Sequence, residues 1–92
     1  MPDQIYRWSL EKNLRLQSER GLSFEAIESA IEDGRLLDDI PHPDPIKFPG
    51  QRMLIVKVGG QVCVVPYVSD GAVRFLKTIY PSRKAKRTYG GV

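Results

Sequence analysis

Residues 75–89 read FLKTIYPSRKAKRTY, a segment that begins as an apolar strand, breaks at Pro81 and continues as a short basic helix. Ser82 is predicted to cap this helix, because its hydroxyl can accept from the free N–H groups of the next turn. Six cations and no acid lie between residues 74 and 89: Arg74, Lys77, Arg83, Lys84, Lys86 and Arg87. Cations are unfavourable at a helix N-terminus, which is already positive. The segment therefore indicates either a bound anion or a solvated basic tail.

The overall composition predicts one folded domain, residues 1–92, because 41% of the 92 residues are hydrophobic. The single cysteine, Cys63, excludes an internal disulfide and a cysteine-based zinc site, and its apolar neighbours favour a buried side chain. No apolar stretch reaches membrane-spanning length. The N-terminus has no charged-then-apolar signal pattern, so we expect a cytoplasmic protein.

The net charge of +3 conceals a division between the two halves of the chain. Residues 1–50 carry six cations and ten acids, a net charge of −4. Residues 51–92 carry eight cations and only one acid, Asp70, a net charge of +7. This asymmetry predicts a polyanionic or acidic partner on the C-terminal half.

The first half of the chain predicts a short strand at residues 5–8 and two helices. Ser9 and Gly21 bound the first helix, which runs from residue 10 to about residue 20, with Leu10 and Leu14 on one face. Ser23 and Gly34 bound the second helix. Its buried stripe is predicted to contain Phe24, Ile27, Ala30 and Ile31.

Residues 36–50 are predicted to be a loop, because four prolines forbid a regular helix or a central strand. The only histidine, His42, is interpreted as a surface loop residue rather than a catalytic one, since nothing nearby in the sequence would orient its ring.

The second half predicts a hairpin and a third strand. Residues 53–58 and 62–67 form the hairpin through Gly59-Gly60, and Pro66 indicates an end, a bulge or an edge. Residues 69–71 are predicted to turn, and residues 72–80 form the next antiparallel strand. Lys77 lies there in an otherwise apolar row, either as a snorkelling side chain or as a cation at a cleft rim.

Three stretches of the chain carry a family resemblance. They are residues 6–13 (YRWSLEKN), residues 20–26 (RGLSFEA) and residues 79–85 (IYPSRKA) followed by Tyr89. In this order they resemble the aromatic-Asp-x-x-Lys opening, the Lys-His-Gly-Ile-Ser-Phe-Glu-Glu segment and the Ile-Ser-Ala-Arg-Lys-Ala ending of the BrnT-type toxins, members of the RelE/ParE-like superfamily. Arg20 stands where that family usually has histidine.

The resemblance implies an α+β domain in which two N-terminal helices pack on a twisted antiparallel sheet of three to four strands, with a short basic C-terminal helix. It also implies the toxin of a type II toxin–antitoxin system: an endoribonuclease that inhibits translation. The implied partners are RNA and a cognate antitoxin protein, which represses the shared operon and supplies any DNA association. The alternative is a non-catalytic basic module that binds nucleic acid or an acidic protein.

Metal-independent RNA cleavage needs stabilisation of the phosphorane charge and a group that transfers protons. The basic half lacks a carboxylate cluster, so no metal and no cofactor is expected. The candidate catalytic residues are Lys77 and Arg83, as charge stabilisers, and Tyr89, for stacking or proton transfer. Neighbouring cations are expected to lower the pKa of Lys77 or Tyr89. The candidate RNA-binding residues are Lys12, Arg52, Arg74, Lys84, Lys86 and Arg87.

Overall fold

The structure is a computed structural model that describes residues 4–90. Six strands form one sheet on which three helices pack, so the predicted α+β class is confirmed. The strands are β1 Ile5–Arg7, β2 Leu36–Pro41, β3 Gln51–Val58, β4 Gln61–Asp70, β5 Val73–Leu76 and β6 Tyr80–Pro81. The helices are α1 Leu10–Arg20, α2 Phe24–Glu32 and α3 Arg83–Tyr89.

The helix boundaries follow the predicted caps. The hydroxyls of Ser9, Ser23 and Ser82 each accept from a backbone N–H three residues later, at 3.2, 3.1 and 3.1 Å. Gly21 ends α1 in the left-handed conformation, with φ of 66°, which glycine adopts without steric cost.

The sheet has more strands than predicted and is mixed. Its order is β1-β5-β4-β3-β2, with β1 parallel to β5 and the other pairs antiparallel. The predicted strand over residues 72–80 is divided into β5 and β6, which both pair with β4. Pro66 of β4 lies at the division: its carbonyl accepts from the Lys77 N–H at 2.8 Å. The backbone N–H and C=O of a strand residue point to the same side. An N–H at position 66 would therefore point towards residues 77–79, which belong to no strand, so the proline removes no hydrogen bond between strands.

The prediction of a loop over residues 36–50 is wrong for its first six residues, which form β2 at the edge of the sheet. Pro41 is tolerated because it is the last residue of an edge strand. The prediction of a turn at residues 69–71 is also too early, since β4 continues through Asp70.

The two faces of the sheet are covered unequally. On the helix face, the side covered by α1 and α2, the core contains Leu16, Leu22, Phe24, Ile27, Ala30, Leu54, Val56, Cys63, Val65, Tyr67, Leu76 and Ile79. On the groove face, the opposite side, α3 covers a smaller core of Met53, Ile55, Val62, Val64 and Ala85. Cys63 is fully buried, as predicted, and burial raises the pKa of its thiol.

The buried face of α1 is not the one that carries Leu10 and Leu14, which are 70% and 56% exposed. Asn13 and Leu16 are buried instead. The Asn13 side chain accepts from the Phe24 N–H at 2.8 Å and donates to Glu25 at 2.7 Å. A hydrogen-bonded amide therefore joins α1 to the start of α2.

Candidate nucleic-acid interface

Helix α3 presents the basic segment on the groove face. It buries Ala85 and half-buries Tyr89 against the sheet. Its four cations point outward and are exposed: Arg83, Lys84, Lys86 and Arg87. Within residues 4–90 none of these four forms an ion pair. The helix therefore holds a cluster of charge that the described chain does not neutralise.

A groove of about 370 Å³ lies between α3 and the end of β2. Its apolar lining includes Ile40, Met53, Ile55 and Val64, and its aromatic lining is Tyr80 and Tyr89. Lys84 and His42 also line it. A second depression, of about 350 Å³, lies on the other side of α3 and is lined by Gln61, Val62, Pro81, Ser82, Arg83 and Lys86.

A β-bulge in β2 decides which aspartate reaches each face. Leu36 lies opposite Val56, but Asp38 lies opposite Ile55, so one residue of β2 has no partner in the register. Paired residues share a face, so Asp38 follows Ile55 to the groove face and Asp39 follows Leu54 to the helix face. The side chains of the consecutive residues Asp38 and Asp39 thus lie on opposite faces of the sheet.

On the groove face, the Tyr89 hydroxyl donates to Asp38 Oδ2 at 2.5 Å. This hydrogen bond lowers the pKa of Asp38 and raises the pKa of Tyr89, because it favours the ionised carboxylate and the neutral phenol. The expectation that cations lower the pKa of Tyr89 is therefore wrong. Tyr89 is a neutral hydrogen-bond donor, and its proton is directed at Asp38.

On the helix face, Asp39 is the centre of a compact cluster beside the area that the helices cover. It accepts from Tyr67 at 2.8 Å and from Arg52 Nε at 3.0 Å, and Arg74 lies 3.6 Å away. The Arg74 guanidinium also lies 5.2 Å from the centre of the Tyr67 ring. Burial and then the Asp39 contact raise the pKa of Tyr67, and Asp39 raises the pKa of Arg52. Arg52 and Arg74 therefore already have a carboxylate partner within the fold, Asp39.

The structure divides the predicted site residues into two groups. Six lie on the groove face or on α3: Lys77, Arg83, Lys84, Lys86, Arg87 and Tyr89. Lys77 is exposed at the end of β5, with its Nζ 5.4 Å from the centre of the Phe75 ring. Arg52 and Arg74 lie on the helix face with Asp39, and Lys12 lies on α1.

The sequence interpretation missed the fixed position of His42. Its Nδ1 accepts from the Asp44 N–H at 3.0 Å, and its ring centre lies 4.5 Å from that of Phe48. The expectation that nothing nearby orients the ring is therefore wrong. The His-Pro-Asp order was the available signal, since the imidazole accepts from the N–H two residues later.

Within residues 4–90 there is no cluster of three or more side chains suited to metal binding, and no helix is long and apolar enough to cross a membrane.

No protein-family model, no curated protein and no solved structure matches the chain.

Proposed function

We propose that this chain is the toxin of a type II toxin–antitoxin system, a metal-independent endoribonuclease that inhibits translation. The observation that carries the proposal is the set of four exposed cations on α3, without ion pairs in residues 4–90, beside the groove that contains Tyr89. The resemblance of residues 6–13, 20–26 and 79–85 to the BrnT-type toxins supplies the reaction class.

The stretches that carry the resemblance contact one another. The Arg20 guanidinium donates to the Ile79 carbonyl at 2.8 Å, so the end of α1 holds the segment that leads into α3. Arg20 replaces the histidine usual in the family and here has a structural role. This contact supports the interpretation of the separate stretches as parts of one unit.

Cleavage would proceed by attack of the ribose 2′-oxygen on the adjacent phosphorus. The new O2′–P bond forms and the P–O5′ bond breaks, while water accepts the proton of the 2′-hydroxyl and supplies one to the departing 5′-oxygen. Arg83 lines the depression on the other side of α3 from Tyr89, and Lys77 lines neither cavity. These two cations would therefore stabilise the charge that develops on the phosphorane, usually the largest catalytic contribution, by Coulomb attraction rather than from within the groove. Tyr89, as a neutral phenol, would donate a hydrogen bond to a phosphate oxygen in exchange for Asp38.

The remaining cations of α3 would bind the flanking phosphates. Lys84 lines the groove, and Lys86 lines the depression on the other side of the helix. Arg52 and Arg74 contribute less in this proposal, because Asp39 already holds them on the opposite face. The cognate antitoxin would cover α3 with acidic side chains.

A second candidate function is a non-catalytic module that binds nucleic acid or an acidic protein. The observation that favours it is the Tyr89–Asp38 hydrogen bond, which occupies the hydroxyl proposed to act in the reaction. Such a module would use the same cations on α3 without cleaving its ligand.

Growth after induction separates the two candidates. The wild-type chain should arrest growth and translation, and cellular RNA should be cleaved, whereas Arg83→Ala should not do so. Arg15→Ala is the matched control, because it removes an exposed guanidinium from α1. Normal growth with intact RNA in cells that express the wild type would refute the nuclease and leave the binding module.

A further inference from the structure

We propose that the groove beside α3 binds one unstacked base of single-stranded RNA and that His42 donates a hydrogen bond to that base. The proposal rests on the RNA-binding part of the proposed function. It adds a binding site for one base and a role for His42, which the sequence analysis interpreted as a surface loop residue.

The lining of the groove suits a flat aromatic ligand. Its floor contains Met53, Ile55 and Val64, and its volume of about 370 Å³ falls in the range of small-molecule pockets. Tyr80 is 37% exposed, although it is a large aromatic residue in a strand. Its hydroxyl lies 3.9 Å from Met53 Sδ, a contact that restricts the ring. An exposed and restricted aromatic ring is what proteins use to stack an unpaired base.

His42 supplies a polar group to the groove, and its hydrogen bond identifies which ring nitrogen is the donor. Because its Nδ1 accepts from Asp44, the proton of the neutral ring is on Nε2, which makes that nitrogen a donor. The contact with Phe48 holds the ring plane. Nucleobases present carbonyl and ring-nitrogen acceptors at their edges. His42 is therefore suited to donate a hydrogen bond from Nε2 to a base, since the lone pair on Nδ1 already accepts from the Asp44 N–H.

The charge around the groove favours RNA over other occupants. Lys84 lines the groove, and the other cations of α3 are exposed without ion pairs in the described part of the chain. Asp38, the carboxylate beside the groove, is engaged by Tyr89. A nucleotide whose base lies in the groove has its phosphates next to α3. One RNA strand therefore contacts both the apolar lining of the groove and the cations of the helix.

The test uses a labelled single-stranded RNA in which one abasic nucleotide is moved along the strand. Binding is measured by fluorescence anisotropy, which does not depend on cleavage. The wild-type chain should lose about 5- to 150-fold in affinity when one particular nucleotide lacks its base, which corresponds to the about 1–3 kcal/mol that one base–aromatic stack contributes. Tyr80→Ala should remove this position dependence, and Tyr80→Phe should keep it.

His42 is tested in the same assay with different bases at the sensitive position. His42→Ala should reduce the discrimination between bases, and His42→Gln should restore part of it, because the amide also donates. Leu10→Ala is the matched control, since it removes an exposed apolar side chain from α1. Equal losses for Ala and Gln would refute the donor role of His42.

The outcomes separate this proposal from the nuclease. RNA binding without any abasic position effect overturns the subsite and leaves the nuclease standing. A position effect in a chain that cleaves no RNA supports the subsite and removes the nuclease. Absence of RNA binding overturns both. If Tyr80→Ala weakens binding of an acidic peptide and leaves RNA binding unchanged, the groove belongs to a protein partner.

Discussion

The two faces of the sheet hold their charges in opposite ways. On the helix face, Asp39 contacts Arg52, Arg74 and Tyr67, so these two arginines have a carboxylate partner within the fold. On the groove face, α3 concentrates four exposed cations without ion pairs in residues 4–90. Paired charges orient neighbouring strands, whereas unpaired charges repel one another and attract an anion. The comparison indicates that the charges of the helix face mainly stabilise the fold, and it supports the proposal that the groove face is where a ligand binds.

The largest expected effect concerns the core on the helix face. Phe24 is fully buried on the helix face and stacks on Trp8, with ring centres 5.5 Å apart. Phe24→Ala should lower the free energy of unfolding by about 3–5 kcal/mol, because it removes buried area and leaves a cavity. Urea denaturation measures this change, and the exposed Leu10→Ala should remain within about 0.5 kcal/mol of the wild type. Equal losses for the two variants would contradict the assignment of the main core.

The second effect concerns RNA binding. If the four cations of α3 all bind phosphates, the slope of log K against log salt should be about −3 for a single strand. Arg83→Gln combined with Arg87→Gln should reduce that slope to about −1.4, because two phosphate contacts are lost. Fluorescence anisotropy over a salt series gives both slopes.

The matched control exchanges the two arginines of the other face. Arg52→Gln combined with Arg74→Gln should leave the salt slope nearly unchanged and lower the thermal unfolding temperature, since both side chains are paired with Asp39. A fall in the slope of this control equal to that of the α3 variant would remove the distinction between the faces.

The smallest effect is the pH dependence of the Tyr89–Asp38 hydrogen bond. The contribution of this hydrogen bond to stability is measured as the difference in free energy of unfolding between the wild type and Tyr89→Phe. Because the pKa of Asp38 is lowered on folding, that contribution is lost as pH falls below the unfolded value of about 4. Because the pKa of Tyr89 is raised, it is lost as pH rises above about 10. Guanidinium unfolding at acid, neutral and alkaline pH should show the difference at neutral pH alone, and a difference independent of pH would contradict the hydrogen bond.

Local chemistry made several elements predictable from the sequence. Ser9, Ser23 and Ser82 cap their helices, and Gly59-Gly60 joins the central hairpin, because these features depend on residues close together in the chain. The stripe on α2 follows the same logic, since helical spacing alone places Phe24 and Ile27 on one side.

The misassigned face of α1 shows where such reasoning fails. Leu10 and Leu14 have helical spacing, yet the buried position belongs to Asn13. The reason is a partner that no local pattern reveals: the free N–H of Phe24 at the start of α2, which the Asn13 side chain satisfies. A buried hydrogen bond between two elements outweighed the apolar pattern of one.

The helix caps, the central hairpin and the concentration of positive charge after Pro81 could be predicted from the sequence, because each follows from neighbouring residues or from composition, and the family resemblance implied the α+β class. The three-dimensional structure was needed to show which cations have a carboxylate partner. The bulge in β2 sends Asp38 and Asp39 to opposite faces, where they contact Tyr89 and the pair Arg52 and Arg74. These partners lie far along the chain, so their pairing depends on strand register, which short-range sequence patterns do not specify.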